Sequence, residues 1–117
     1  MNRKKILVTG GAGLDSFVFQ SVSSSPAGTK RDFITDYTFK ETINLSKIDA
    51  NAGLLGNNAF TYIGVAASFS GAGQIRAQQS NADTILSINT NNSSVAEMEI
   101  VLTNYEATAL TATDFVL

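Results

Sequence analysis

The chain has 117 residues, 44% of them hydrophobic and 15% charged, with a net charge of −2. That is enough chain for one domain burying about 65% of its unfolded surface. The composition is globular, not disordered, and it offers no broad basic field to attract nucleic acid.

Cys, His and Trp are absent. Without Cys there is neither disulfide nor thiolate chemistry, which fits reducing cytosol and equally fits proteins exported without disulfide staples. Without His, the usual general base and the commonest transition-metal ligand are missing. No apolar run approaches the ~20 residues of a transmembrane helix, so no stable membrane insertion is expected. Behind Arg3-Lys4-Lys5 the apolar run is only Ile6-Leu7-Val8, against the ~7–15 residues of a signal peptide. Any export information is therefore expected elsewhere.

In chain order, Lys4 to Phe17 reads KKILVTGGAGLDSF, a short apolar run entering a glycine-rich turn. Phe17-Val18-Phe19 is aromatic and β-branched and predicts a strand. Ser21 to Asp32 is a Ser/Gly loop holding the only proline, Pro26. Phe33 to Phe39 alternates with period two, placing Phe33, Thr35, Tyr37 and Phe39 on one face and Ile34, Asp36 and Thr38 on the other. Thr42 to Asp49 sets Ile43 and Leu45 against Asn44 and Ser46. Residues 50–58, ANAGLLGNN, form a loop.

Four strands then follow, in AFTYIGV, GQIRAQQ, DTILSIN and AEMEIVLT, with turn clusters at 80–83 and 89–94. In the last, Met98, Ile100 and Leu102 face away from Glu97, Glu99 and Val101. Only Asp49 to Leu55 and Ala107 to Ala112 leave room for helix. Strands spaced by roughly ten residues predict an all-β fold. The carboxylate pairs Asp32/Asp36 and Glu97/Glu99 read as solvated strand faces, not as catalytic pairs.

Two glycine grammars overlap at the start. KKILVTGGAG looks like the opening of the short-chain dehydrogenase and epimerase family, whose glycines let a helix N-terminus approach a pyrophosphate. Here Ser16 stands at the third-glycine position, Asp15 would repel the phosphate, and the residues beyond do not make a helix. The same letters, Gly10 to Val18, fit the nine-residue calcium repeat G-G-x-G-x-D-x-U-x at every specified position. In that reading glycines allow the tight turn, turn carbonyls and Asp15 offer hard oxygen ligands to calcium, and Phe17 points into the core. The structural alternative is an ordinary glycine turn before a strand.

The remainder favours the repeat. GGAGLDSFVFQSVSSSPAGTKRDFITDY, INLSKIDAN, FTYIGVAASFSGAGQIR and EIVLTNYEATALTATDFVL follow one another in order. Together they resemble the C-terminal region of serralysin-type secreted metalloproteases and related RTX (repeats-in-toxin) exoproteins. The resemblance implies an all-β fold, a short β-roll edge continuing into an antiparallel β-sandwich. It implies one domain over 1–117, with 1–20 a residual β-roll repeat and 21–117 the sandwich. It also implies an extracellular fate, calcium-assisted folding and a type I (ABC) export machinery as partner, with an upstream catalytic or repeat domain as a further one.

Transferred residue by residue, Gly10, Gly11, Gly13 and Asp15 form a calcium half-site. The preceding repeat should supply an Asp near position 6, where Ile6 stands, so calcium binding is expected to be weak or partial. In the family's GDKIDLS region Glu41 takes the place of the first acid and Asn44 of the second. In its acidic turn Asn89, Asn91 and Ser93 replace carboxylates and only Glu97 keeps one, so a polar hairpin turn is favoured there. The resemblance makes Asp114, Phe115, Val116 and Leu117 an uncleaved export signal; the plainer reading is a terminal strand packing Phe115 and Leu117.

No HExxH motif is present, and no catalytic residue is expected in the chain. A carbohydrate- or surface-binding sandwich is the alternative, with Phe60, Tyr62 and Tyr105 as a sugar platform. An NAD-binding fragment is the third.

Overall fold

The computed structural model describes residues 7–8, 16–21, 27–28, 31–38, 41–51, 53, 55–91 and 94–117. Among the described residues nine strands are formed: β1 Leu7–Val8, β2 Ser16–Val18, β3 Asp32–Ile34, β4 Thr42–Asn44, β5 Thr61–Tyr62, β6 Gln74–Ser80, β7 Asp83–Ile88, β8 Met98–Leu102 and β9 Phe115–Val116. The only helical pieces among the described residues are two 3-10 turns, Ala107–Ala109 and Ala112–Asp114.

Two sheets share the strands. The larger runs β1-β3-β8-β7-β6-β5 and the smaller β2-β4-β9. β1, β3 and β8 pair in parallel, as do β2, β4 and β9. Parallel neighbours need a crossover. Here each crossover passes through the opposite sheet, because β1, β2, β3 and β4 alternate between the two. This winding is a β-roll, and it resumes with β8 and β9 after an excursion through β5, β6 and β7. The all-β roll and sandwich expected from the sequence is thus present, with mixed pairing: β6, β7 and β8 form an antiparallel meander.

Register explains why the two sheets face each other. In the smaller sheet Phe17, Ile43 and Phe115 lie side by side, and all three are buried. In the larger, Ile34 stands beside Leu102, and Ile75, Leu86, Ile88, Met98 and Ile100 complete the core, each inaccessible to solvent. Each such side chain contributes about 1.5–3 kcal/mol by leaving water. The β6–β7 turn is two residues, Asn81 and Ala82, with Asn81 at φ 55°. Asparagine tolerates this left-handed conformation, which tight hairpins demand.

Three local expectations are corrected. The strand predicted for Phe33–Phe39 ends at Ile34, and its faces are reversed: Asp32 and Ile34 are buried while Phe33 is half-exposed. The chain bends at Thr35-Asp36, which lets Tyr37 turn back into the core. Val101, assigned to the outer face of β8, is also buried, because β3 pairs alongside it through Phe33. Between Asp49 and Leu55 the described residues form turns, held by asparagine and aspartate side chains bonding the backbone. The Asp49 carboxylate accepts from the amides of Asn51 (3.2 Å) and Asn58 (2.9 Å), and Asn51 accepts from Gly53 N (3.1 Å). Such side-chain bonds compete with a helix.

Candidate functional site

Gly10, Gly11, Gly13 and Asp15, the calcium half-site, lie outside the described residues. Their neighbours frame the question. β2 begins at Ser16, the place where a dinucleotide-binding helix would have to start, so the epimerase-like reading lacks its helix. Phe17, the large residue of the repeat, is buried as the repeat requires. Glu41 immediately precedes β4, which pairs in register with the strand following Asp15 in the sequence. It is almost wholly buried, and its Oε1 accepts a hydrogen bond from Thr38 N at 3.0 Å. Among the described residues no group of three or more His, Cys, Asp or Glu side chains is placed to hold a metal ion.

Of the expected polar turn at 89–97, Ser93 lies outside the described residues, and the described ones are tied by polar side chains. Asn89 is fully buried; its Oδ1 accepts from Gln74 N (2.9 Å) and its Nδ2 donates to Gly71 O (3.0 Å). Glu97 Oε1 accepts from Thr90 N (2.5 Å) and Thr90 Oγ1 (3.1 Å). Both partners of Asn89 lie in the FSGAGQIR stretch, where Gln74 Oε1 also accepts from Ser70 N (2.8 Å) and Gly71 N (3.1 Å). That distinctive motif is a staple between two loops. Asn89 suits it because an amide both accepts and donates, which a carboxylate does not.

The acids expected on solvated faces are also engaged. Asp32 is buried, and Glu99 accepts from Arg31 NH1 and Gly28 N, both at 3.0 Å, fastening Gly28 and Arg31 to β8.

The C-terminal residues are the most elaborately held. Asp114 is buried. Its Oδ1 lies 2.8 Å from the Tyr37 hydroxyl, which is also 2.8 Å from the carbonyl of Glu41. Its Oδ2 accepts from Thr111 N at 2.8 Å, half of a capping box on the last 3-10 turn. Phe115 then enters the core beside Ile43, Val116 faces outward with 41% exposure, and Leu117 packs partly against the core. Leu45 N donates to Val116 O at 2.9 Å, continuing the ladder.

Aromatic rings close round this carboxylate. Tyr37 meets Tyr105 edge-on with ring centres 5.0 Å apart, and Tyr62 lies 4.8 Å from Phe115. Burial first, then the bond to Asp114, holds the Tyr37 hydroxyl far above its ordinary pKa. Tyr62 and Tyr105 are raised by burial and by the Asp114 charge. The sugar platform expected from Phe60, Tyr62 and Tyr105 is therefore not formed: Phe60 is buried and the two tyrosines pack against the core. The Tyr37–Asp114 bond spans 77 residues, and nothing in local periodicity announces it.

A family model for the C-terminal domain of serralysin, peptidase family M10, matches residues 3–117. The chain belongs to the serralysin C-terminal family. This serralysin C-terminal domain is also similar to the solution structure of a subunit of the mannuronan C5-epimerase from Azotobacter vinelandii. The TM-score is 0.63 at 26% identity, over 98% of this chain and 66% of that one. It thus spans just under two thirds of the epimerase subunit's length. The comparison with curated proteins found no match. Family and topology agree on a C-terminal β-roll module of secreted proteins, and no helix among the described residues is long and apolar enough to cross a membrane.

Proposed function

We propose that this domain is a non-catalytic secretion and folding module, exported by a type I transporter that reads Asp114 to Leu117 and docked behind an upstream catalytic or repeat domain. The observation that carries the reading is the double use of the tail. Asp114 is followed by the three apolar residues Phe115, Val116 and Leu117, and Phe115 and Val116 also form the roll strand β9. A transporter reads the tail before folding, when Asp114 and Phe115 are accessible; folding afterwards buries both. The sequence holds no His or Cys, which leaves the usual acid-base and thiolate chemistry to another domain.

Calcium enters the proposal through Asp15 and the carbonyls of Gly10, Gly11 and Gly13, an oxygen set of the kind calcium prefers. With one carboxylate in that set, binding by the isolated chain is weak. Isothermal titration is expected to show affinity well above micromolar Kd; a micromolar site would contradict the half-site reading.

The export claim is tested by fusing the chain to a reporter and measuring secretion through a type I transporter. Deleting Asp114 to Leu117 abolishes export on this proposal. Val116→Asp changes an outward-facing residue, so it probes reading of the tail separately from packing, and is expected to reduce export while the purified domain still folds. Unchanged export of both variants would refute the signal role.

A further inference from the structure

The structure carries a surface cleft that none of the tail residues lines. The β6–β7 turn and the segment after β8 border an open surface cleft of about 510 Å³ lined by Gln79, Asn81, Ala82, Asn104, Glu106 and Thr108. Its size falls within the range of small-ligand sites, roughly 300–1,000 Å³.

The floor is rigid for a stated reason. Gln79 Nε2 donates to the carbonyls of Asp83 (2.9 Å) and Asn81 (3.1 Å), and its Oε1 accepts from Ala107 N (2.8 Å). Asp83 Oδ1 accepts from Asn104 N (2.8 Å), and Thr84 Oγ1 donates to Tyr105 O (2.6 Å). One glutamine and two neighbouring side chains thus lock the hairpin turn to the segment after β8.

The walls are the reverse. The side chains of Asn81, Asn104, Glu106 and Thr108 make no hydrogen bond to any described residue. Asn81 and Asn104 both sit at positive φ, 55° and 56°. Turn chemistry accounts for their backbones and leaves both carboxamides unengaged at the rim. Glu106 and Thr108 have no such backbone explanation.

We propose that this cleft binds a neutral saccharide unit. Two carboxamides and a hydroxyl offer both donors and acceptors, and the Glu106 carboxylate accepts from hydroxyls; together they match neighbouring hydroxyl groups on a sugar ring. The lining contains no cation, so it selects against anionic sugars. Ala82 is its only apolar residue, so a lipid or apolar peptide side chain gains little there. A fixed floor lowers the ordering cost of binding. The proposed site is independent of the export reading, because none of its residues belongs to the tail.

The test is an amide-resolved NMR titration of the full chain with maltohexaose, cellohexaose and mannohexaose, with hexamannuronate and calcium as contrasts. Saturable millimolar shifts at Asn81, Asn104, Glu106 and Thr108 with at least one neutral hexasaccharide are expected. Glu106→Ala should weaken that binding by about tenfold, a loss of about 1.4 kcal/mol. Asn104→Gly, which keeps the left-handed backbone accessible, should weaken it similarly without unfolding the chain. No shifts with any neutral hexasaccharide, or shifts at these residues only with hexamannuronate or calcium, would overturn the proposal.

Discussion

The antiparallel part of the larger sheet and the parallel smaller sheet are built on different logic. The antiparallel meander of β6, β7 and β8 is local: strands close in sequence, joined first by a two-residue turn, with Ile75, Leu86, Ile88, Met98 and Ile100 facing one way. The parallel ladder of β2, β4 and β9 is assembled from residues near 17, 43 and 115, and a buried carboxylate fixes its last strand. The meander is held by apolar burial and needs little beyond its own pattern. The roll ladder needs a polar anchor because β9 is two residues long, too short for its own ladder bonds to specify register.

Phe115→Ala breaks the comparison most forcefully. It empties the third position of the Phe17–Ile43–Phe115 row and is expected to cost about 3–5 kcal/mol, read as a lowered urea midpoint at unchanged slope. Gly73→Ala comes next and acts where the meander meets the loops. Gly73 has φ 72°, and a Cβ there would stand 2.9 Å from the carbonyl oxygen of Ala50. The left-handed backbone costs about 1–3 kcal/mol and the overlap adds about 1–3 more, seen as a lower Tm in calorimetry.

Tyr37→Phe sharpens the comparison by removing the anchor alone. It takes a hydrogen bond from a buried carboxylate, with an expected loss of about 1.5–3 kcal/mol. Its pH signature is distinctive. The Tyr37 pKa is raised from its ordinary value of 10.0, so the unfolded chain ionises first. The associated stability is whole below pH 10 and declines as pH rises above it. Tyr37→Phe should therefore flatten the alkaline limb of a stability–pH curve, leaving the residual slope of Tyr62 and Tyr105. Asp49→Asn has the smallest effect. Hydrogen bonds from Asn58, then Asn51, lower the Asp49 pKa from 3.8; its contribution is present above that value and is lost as pH falls through the folded pKa. The variant should lack this part of the acid limb in an acid-unfolding titration.

Much of the meander was legible in the sequence. Ile75 and Ala77, Leu86 and Ile88, and Met98, Ile100 and Leu102 follow period two, and SNAD marks the turn. The nine-residue repeat foretold that Phe17 would be inside. Less was legible where the chain depends on distant partners. Asp32 reads as a surface acid, yet β3 sets it inside beside Ile100. Tyr62 and Tyr105 could be read either as a sugar platform or as core, because nothing local shows that Phe115 would pack against Tyr62 and Tyr37 against Tyr105. Asp114 was recognised only as part of a tail motif; its structural role rests on Tyr37, 77 residues away.

The most direct test is native-state hydrogen exchange on the Phe115→Ala variant, comparing Leu45 N–H, which donates to Val116 O, with amides inside the β7–β8 ladder. Closure of the roll by its last strand predicts that Leu45 loses protection by a much larger factor than the meander amides. Equal loss in both regions, or an unchanged Leu45, would contradict it.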